Sequence, residues 1–555
     1  MTKKLLSLVA ALAFSIISMA QYVTNPILAG YYPDPSICQA GDDYYIVNSS
    51  FAHYPGLPLF HSKDLANWEL IGYALDRPEQ LNLEGRGAGV SRGLFAPAIE
   101  YHKGTFYIVC TNTSGGGNFV ITTKDPKGPW SNPVYLPEVN GIDPSLFFDE
   151  DDKAYIVYNS IPPNDVTFWN GHRTIRMYEF DAANLKVKGE QILLINGGTD
   201  IEKKPVWIEG PHIYKINGWY YLMCAEGGTG YNHTEVVFRS KNVYGPFKPY
   251  EKNPILTQKH LDPSRPNPIT TTGHADLVKG KDGKWWGVFL GCRPYEGDYY
   301  NVGRETFIAP VKWVDEWPVF DLGGDVVKYQ YPINATINKN AEPFNGNYTF
   351  KDDFNGDKLN LRYRFLRTVK EPWYNLTENK GALTLNLRKE TVSGFSNPSF
   401  VGFQKPHLKG YAATALQFSP KAANEKAGLI AMQNDKRFLF LTQAVVNNKP
   451  VVQLYRDSVV IASKPLSLKK DKPLYLKIEA NHDKYAFYYA TKENKWELLL
   501  GDVDAKYLST KDAGGFVGVM YAMYATSEGE ASNNKALFNW FEIKNNDDVY
   551  KKLQP

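Results

Sequence analysis

The chain has 555 residues, a formal net charge of +3 and 14% aromatic residues. It is too long for one ordinary hydrophobic core, so at least two domains are expected. A charge balance near zero with no basic stripe argues against nucleic acid as a partner, and abundant aromatic, glycine and proline residues favour many short strands joined by turns.

The first twenty residues predict an export signal. Lys3 and Lys4 form a basic start, an apolar run covers Leu5 to Ile17, and Ser18-Met19-Ala20 provides small residues for cleavage before Gln21. An N-terminal membrane anchor is the alternative, although the apolar run is short for a span. No other stretch has the length of a transmembrane helix. We therefore expect no membrane span and an exported protein, periplasmic or secreted after cleavage.

One hairpin motif occurs five times between residues 32 and 286. Each copy passes through apolar residues and a polar turn into an aromatic strand. The copies begin at Pro33-Asp34-Pro35-Ser36, Phe95-Ala96-Pro97-Ala98, Ile142-Asp143-Pro144-Ser145, Glu209-Gly210-Pro211-His212 and Gly273-His274-Ala275-Asp276. Hairpins repeated at blade-sized intervals predict an all-β fold that opens with a five-bladed β-propeller, over residues 21–327.

In a propeller the copies are arranged around one axis. The equivalent position of each copy, which we call its station, therefore lies at the same height on that axis. The stations hold Asp34, Ala96, Asp143, Glu209 and His274. We therefore expect three carboxylates and one imidazole to converge on a small central space, with the second copy supplying a wall. The alternative is that each acid caps a turn, because aspartate before Pro-Ser is a common turn former.

Two loops are predicted to lie near this space. Residues 164–173 form an irregular segment in which Phe168 and Trp169 could form a rim for a sugar ring to stack on. Ordinary packing between blades is the alternative for both aromatic residues. The glycine-rich segment from Gly227 to His233 is placed to border the axis.

The repeat ends before residue 328. Residues 328–348 are rich in asparagine and proline and predict a linker. Strands then resume with a different rhythm and no helical period, which predicts a β-sandwich over residues 349–545.

Two carboxyl groups in opposite protonation states, facing each other across a cleft, are the equipment of glycoside hydrolysis. A third acid adds negative charge and raises the proton affinity of its neighbour. The longer Glu209 suits a proton donor, and Asp34 between two prolines suits a base that holds one water. Arg304 could offset surplus negative charge and grip sugar hydroxyls.

The stations also resemble the signature blocks of glycoside hydrolase family 43. These blocks are Tyr32-Pro33-Asp34-Pro35-Ser36, Gly141-Ile142-Asp143-Pro144-Ser145 and Ile208-Glu209-Gly210-Pro211-His212. Ser49-Ser50-Phe51 and Gly303-Arg304-Glu305-Thr306 resemble the β-xylosidase and α-L-arabinofuranosidase branch. Asp353-Phe354-Asn355-Gly356 resembles the start of that branch's C-terminal concanavalin-like (jelly-roll) sandwich.

The resemblance implies hydrolysis with inversion. Asp34 would be the general base, Glu209 the general acid and Asp143 the residue that tunes and orients the acid. Phe51 and Arg304 would line the terminal sugar pocket, with His274 beneath the acids. No cofactor would be required, although some relatives hold a calcium ion at the histidine station, which allows one near His274.

The resemblance also implies that a loop of the sandwich closes the pocket, and we expect Met520 to Glu528 to do so. One departure is Phe95-Ala96-Pro97, where many xylosidases of this branch have Trp-Ala-Pro. Phe95 therefore makes a smaller apolar wall than tryptophan would, and the identity of the bound sugar stays open.

The leading hypothesis is an exo-acting hydrolase that releases terminal β-D-xylose, and also α-L-arabinofuranose, from xylo- or arabino-oligosaccharides. Arabinofuranosidase activity as the main activity is one alternative. A retaining five-bladed glycosidase, such as a fructosidase, is another and would need carboxyl groups about 5 to 5.5 Å apart. A glycan-binding protein without turnover is the third.

Overall fold

A computed structural model describes residues 21–85, 89–334, 342–469 and 472–553. The predicted export signal, residues 1–20, lies outside the described residues. The all-β prediction is confirmed: a five-bladed propeller is followed by a concanavalin-like sandwich. None of the helices in the described ranges is long and apolar enough to cross a membrane.

Each propeller blade is an antiparallel sheet whose strands pair in chain order. Blades one and two contain Ser36–Ala40, Asp43–Val47, Gly56–Ser62 and Glu69–Leu75, then Ala98–His102, Thr105–Asn112, Gly117–Thr123 and Val134–Tyr135. Blade three contains Ile142–Phe148, Ala154–Ser160, Thr174–Asp181 and Lys186–Asn196. Blade four contains Glu209–Ile216, Trp219–Glu226, Thr234–Ser240 and Lys248–Pro249, with Leu256–Thr257 also paired to its third strand. Blade five contains Thr270–Lys279, Trp285–Cys292, Glu305–Val314 and Trp317–Phe320.

The first hairpin of each blade follows from local sequence. In blade four, Asn217 and Gly218 have φ values of 51° and 74°, and positive φ at both central residues is what a tight two-residue hairpin turn requires. Because the second strand runs antiparallel to the first, it ends on the face where the first began. Loops between second and third strands therefore lie on the face that carries the five stations.

The sandwich consists of two eight-stranded sheets. One contains Thr349–Asp352, Tyr374–Asn375, Leu383–Asn386, Lys535–Asn545, Lys409–Gln417, Leu474–Asn481, Lys484–Ala490 and Glu497–Asp504. The other contains Val459–Pro465, Lys449–Arg456, Arg437–Val446, Lys426–Asn434, Met520–Thr526, Ser399–Gln404, Arg364–Leu366 and His53–Tyr54. The helices in the described residues are short: Pro78–Gln80, Pro163–Asp165, Ile201–Lys203, Lys506–Leu508, Thr510–Ala513 and Tyr550–Lys552.

The last strand of that second sheet comes from the propeller. Tyr54 pairs with Phe365, and His53 pairs with Leu366. One buried apolar cluster continues across this seam and includes Leu57 of the propeller and Leu429 of the sandwich. The two domains therefore share a sheet and part of a core.

The segment predicted as a linker is partly ordered into a strand. Gln330–Ile333 pairs antiparallel with Gln21–Thr24, with Tyr331 buried and Pro332 exposed. Phe344 is buried in the propeller's core cluster. Residues 335–341 of this segment lie outside the described residues.

Candidate active site

The five stations meet at one cavity of about 310 Å³ on the face described above. Every site residue predicted from the sequence lines it: Asp34, Phe51, Phe95, Asp143, Glu209, His274 and Arg304. The lining also includes Ala96, Ile142, Val206, Trp207, Gly228, Thr229 and Phe516. The turn-capping alternative does not account for three acids from separate blades facing one space.

Three of the five stations share an unusual backbone conformation, and so does the glycine beside a fourth. Asp34, Asp143 and His274 have φ values of 52°, 53° and 54°, and Gly210, beside Glu209, has 55°. Aspartate and histidine tolerate this left-handed region better than most residues. Phe51 and Trp207 adopt it as well, at 49° and 59°, where a bulky side chain is strained. Backbone strain is thus present at residues that line the cavity.

Asp34 is held in a buried ion pair. The Arg304 guanidinium donates to both of its carboxylate oxygens, at 2.9 Å and 3.4 Å. The Ser49 hydroxyl donates to the second oxygen at 2.5 Å. A two-pronged contact with arginine fixes both the charge and the orientation of the carboxylate. Arg304 thus offsets negative charge, as expected from the sequence.

The other two acids have raised proton affinity. Burial, followed by the charges of Asp143 and Asp34, raises the pKa of Glu209 well above its ordinary value. Burial and then the Asp34 charge raise the pKa of Asp143 to about 7, opposed by a backbone N–H donated from Gly210 at 3.3 Å. The cavity therefore pairs an arginine-bound carboxylate with a carboxyl group whose burial and neighbouring charges favour its protonated form.

Two buried polar atoms in this cavity have no partner in the described part of the chain: Glu209 Oε1 and Arg304 Nε. Buried polar atoms are rarely left unpaired, and each costs free energy until a partner satisfies it. A ligand with hydroxyl groups would provide such partners.

His274 packs tightly against Gly210. A methyl group at Gly210 would lie 2.9 Å from His274 Nε2, so only glycine leaves room for the ring. Burial lowers the pKa of His274 to about 4, so the imidazole is neutral. Within the described residues no group of three His, Cys, Asp or Glu side chains is placed to hold a metal ion.

Three phenylalanines form the apolar wall. The Phe51 ring lies 5.4 Å from the Phe95 ring and 6.0 Å from the Phe516 ring, and Phe516 lies 5.7 Å from Phe95. Phe516 belongs to the sandwich, so the C-terminal domain completes the cavity. Its backbone N–H donates to the Ser91 hydroxyl of the propeller at 2.9 Å.

The expectation that Met520 to Glu528 closes the pocket was wrong. Met520–Thr526 is a fully buried strand at the centre of a sheet, so its side chains are used in packing. The closing residue lies just before that strand, in a loop that begins with Gly514 and Gly515. The glycine pair before Phe516 is the sequence feature from which this closing loop could have been predicted. Trp207 and Val206, beside the Glu209 station, were also missed as lining residues.

The two aromatic residues proposed as a rim behave differently. Trp169 packs against the His172 ring at 3.9 Å and donates its indole N–H to the Pro205 carbonyl at 2.7 Å. Phe168 is exposed. Neither lines the cavity, whereas Gly228 and Thr229 of the glycine-rich loop do.

A protonated acid and an ionised carboxylate in one sugar-sized cavity are what cleavage of a glycosidic bond requires. The fold and the site together define a glycoside hydrolase.

Comparison with known proteins identifies the family of this glycoside hydrolase. The profile of Glycosyl hydrolases family 43 matches residues 23–318, and that of the Beta xylosidase C-terminal Concanavalin A-like domain matches residues 351–544. The chain belongs to glycosyl hydrolase family 43.

Individual relatives cover nearly the whole chain. It is 40% identical to the xylosidase/arabinosidase of Butyrivibrio fibrisolvens over 94% of this chain and 99% of that protein. It is 38% identical to the non-reducing end alpha-L-arabinofuranosidase BoGH43B of Bacteroides ovatus over 98% of each. Among solved structures, a GH43B protein of a Bacteroides ovatus xyloglucan locus is 36% identical with a TM-score of 0.85, covering 95% of this chain and 100% of that one.

Proposed function

We propose that the protein is an exo-acting, inverting hydrolase that releases terminal β-D-xylose, with α-L-arabinofuranose as a second substrate, from xylan-type oligosaccharides. The observation that carries this proposal is the cavity itself, in which Glu209 keeps its proton beside an Asp34 that is paired with Arg304.

The size of the cavity supports action on a chain end. At about 310 Å³ it is at the lower end of the range for small-molecule sites, which suits a single pentose ring. Phe51, Phe95 and Phe516 would cover the apolar face of that ring, and a wall contributed by the second domain leaves no groove for a chain to run through.

The proposed chemistry assigns one role to each acid. Glu209 donates its proton to the departing oxygen, while Asp34 takes a proton from a water that attacks the opposite face of the sugar. Burial is the largest cause of the raised pKa of Glu209, and the negative charge of Asp143 is the second. Arg304 holds Asp34 in position.

The choice of sugar rests on relatives. The Butyrivibrio relative is named for both xylosidase and arabinosidase activity, and the Bacteroides ovatus relative for release of terminal arabinofuranose. Xylose and arabinofuranose present similar hydroxyl groups to a pentose-sized pocket. The sequence hypothesis places xylose first, and these two relatives support keeping both sugars.

Purified protein assayed on the nitrophenyl derivatives of the two pentosides, and on short xylo-oligosaccharides, tests this proposal. We expect xylose to appear one unit at a time from the non-reducing end, with the opposite anomeric configuration to the substrate by NMR. No release from either pentoside would overturn the function, and retained configuration would overturn the assignment of Asp34 as a base.

We also propose that no cofactor is needed and that the protein is exported. Chelator treatment should then leave the rate unchanged, and a lasting loss that calcium restores would contradict it. The basic and apolar stretches of residues 1–20 support export. N-terminal sequencing of protein from the native host should begin at Gln21, and intact Met1 on cytoplasmic protein would exclude export.

A further inference from the structure

Phe168 is the most exposed large apolar side chain in the described residues, at 73%. A single exposed apolar residue on a surface needs no explanation by itself. Phe168 differs from other exposed apolar residues in its position and in the way its loop is anchored.

The loop that carries Phe168 lies on the active-site face. It joins the second strand of blade three, Ala154–Ser160, to the third, Thr174–Asp181. Asp143 stands at the start of the first strand of the same blade, and Ile142 pairs with Asn159 near the end of the second. Phe168 therefore lies on the same face of blade three as Asp143.

The loop also contacts the cavity wall directly. The Trp207 N–H donates to the Gly171 carbonyl at 2.7 Å, and a methyl group at Gly171 would lie 2.8 Å from the Val206 side chain. Trp207 and Val206 both line the cavity, and Val206 is 45% exposed. Gly171 follows Phe168 by three positions in the chain, a reach of at most about 10 Å. Phe168 therefore lies within about 10 Å of a residue that contacts the cavity wall.

The loop that carries the exposed ring is anchored to the blade. The Phe168 backbone N–H donates to His172 Nδ1 at 3.3 Å, and its ring lies 5.7 Å from the His172 ring. His172 is fully buried, is bonded to Asn196 at 2.8 Å and is covered on one face by Trp169. Trp169 thus anchors the loop, while the neighbouring Phe168 faces solvent.

We propose that Phe168 forms a stacking platform for the sugars of the leaving group, the part of the oligosaccharide that remains outside the cavity when the terminal pentose is bound. A flat ring on an anchored loop buries the C–H face of a neutral sugar at little entropic cost. The inference rests on the proposed function, because it requires a terminal sugar in the cavity.

The test compares two substrates that share the terminal pentose. One is the short oligosaccharide that the wild-type enzyme cleaves, as disaccharide and tetrasaccharide. The other is the matching pentosyl fluoride, whose leaving group is too small to reach Phe168. Phe168→Ala should lower kcat/KM on one or both oligosaccharides about tenfold, the size of one lost aromatic contact, and leave the fluoride unchanged. Phe168→Tyr and Phe168→Trp should restore the wild-type ratio of kcat/KM on the oligosaccharide to kcat/KM on the fluoride.

Tyr244→Ala provides the matched control. Tyr244 is also an exposed aromatic residue, but it lies between the third and fourth strands of blade four, on the opposite face. Its loss should change neither rate. Equal rates of Phe168→Ala and wild type on both oligosaccharides, or equal losses on oligosaccharide and fluoride, would overturn the platform. A wild-type enzyme that cleaves neither substrate would instead refute the proposed function.

Discussion

Glu209 is the residue at which burial and neighbouring charge act in the same direction, and both keep its proton in place. Glu209→Gln cannot donate that proton. We expect kcat on oligosaccharides to fall by roughly two to four orders of magnitude, as for loss of a general acid. Pentosyl fluoride needs no protonation of its leaving group, so its hydrolysis should fall by less than about tenfold. Steady-state kinetics on both substrates measure the difference.

Glu226→Gln is the control for that substitution. Glu226 lies in the next strand of the same blade and accepts hydrogen bonds from Thr199 outside the cavity lining. It should keep wild-type rates on both substrates. Equal losses of the Glu209 variant on oligosaccharide and fluoride would mean that Glu209 supports structure and does not donate a proton.

Asp143 makes the folded state less stable as pH rises. Its pKa is raised from 3.8 to about 7, so the folded protein holds a proton that the unfolded chain releases between those values. The penalty is absent below pH 4, grows from there to pH 7 and is complete above it. Asp143→Asn should therefore raise the free energy of unfolding at pH 7.5 by on the order of 4 kcal/mol and leave it unchanged at pH 4.

Urea denaturation of variant and wild type at both pH values measures this effect. The comparison must be made at each pH, because burial lowers the pKa of His233 to about 3 and of His274 to about 4, and these groups favour the folded state as pH rises. Asp151→Asn, at an exposed ion pair with Lys153, should change neither value. A gain at pH 4 equal to that at pH 7.5 would contradict the assignment of the penalty to ionisation.

The acids were predictable because the chain repeats a motif, and a repeat converts sequence position into position in space. Asp34 and Asp143 stand before proline in matching stations, so their convergence followed from the repeat alone. Phe516 has no counterpart in the repeat. Its place in the cavity depends on how a second domain docks, which no local pattern encodes.

At the scale of elements, two loops meet where only glycine fits. A methyl group at Gly518 would lie 2.4 Å from the Val302 carbonyl oxygen, and one at Gly303 would lie 2.9 Å from the Gly518 backbone. Gly518 follows Phe516 by two residues and Gly303 immediately precedes Arg304. This contact therefore sets the distance between the closing ring and the arginine that holds Asp34.

Gly518→Ala should separate these loops. We expect kcat/KM for the terminal pentoside to fall at least about tenfold, because small displacements of positioning groups are costly in catalysis. The free energy of unfolding should fall by about 1–3 kcal/mol from overpacking. Gly501→Ala, where the nearest atom is 3.6 Å away, should preserve both quantities. A Gly518 variant with wild-type kinetics would show that the loop contact does not position the site.

The elements themselves were predictable to different degrees. Long aromatic strands such as Trp219–Glu226 have a clear sequence pattern, because both faces of a blade are buried. Arg364–Leu366 and His53–Tyr54 have three and two residues. Runs this short carry no period, and they become strands only because the two domains bring them together.

At the scale of the whole molecule, a buried charge network crosses the same seam. Arg293 of blade five contacts Glu305 at 2.6 Å and Asp547, beyond the last sandwich strand, at 3.2 Å. It also donates to the Pro406 carbonyl at 2.9 Å. Glu305 directly follows Arg304, so the C-terminal region of the chain is connected to the arginine of the active site through two side chains. Buried charges are tolerated only when every partner is present.

Arg293→Met should therefore destabilise both domains together. It removes the buried cation that neutralises Glu305 and Asp547, and we expect a loss of about 3–5 kcal/mol in the free energy of unfolding. Lys312→Met breaks an exposed ion pair with Asp321 in the same blade and should cost less than about 1 kcal/mol. Urea denaturation followed by tryptophan fluorescence and by activity should show one transition, shifted equally for both signals. If activity were lost well before fluorescence changed, the two domains would unfold separately, and the shared sheet and core would not make them one cooperative unit.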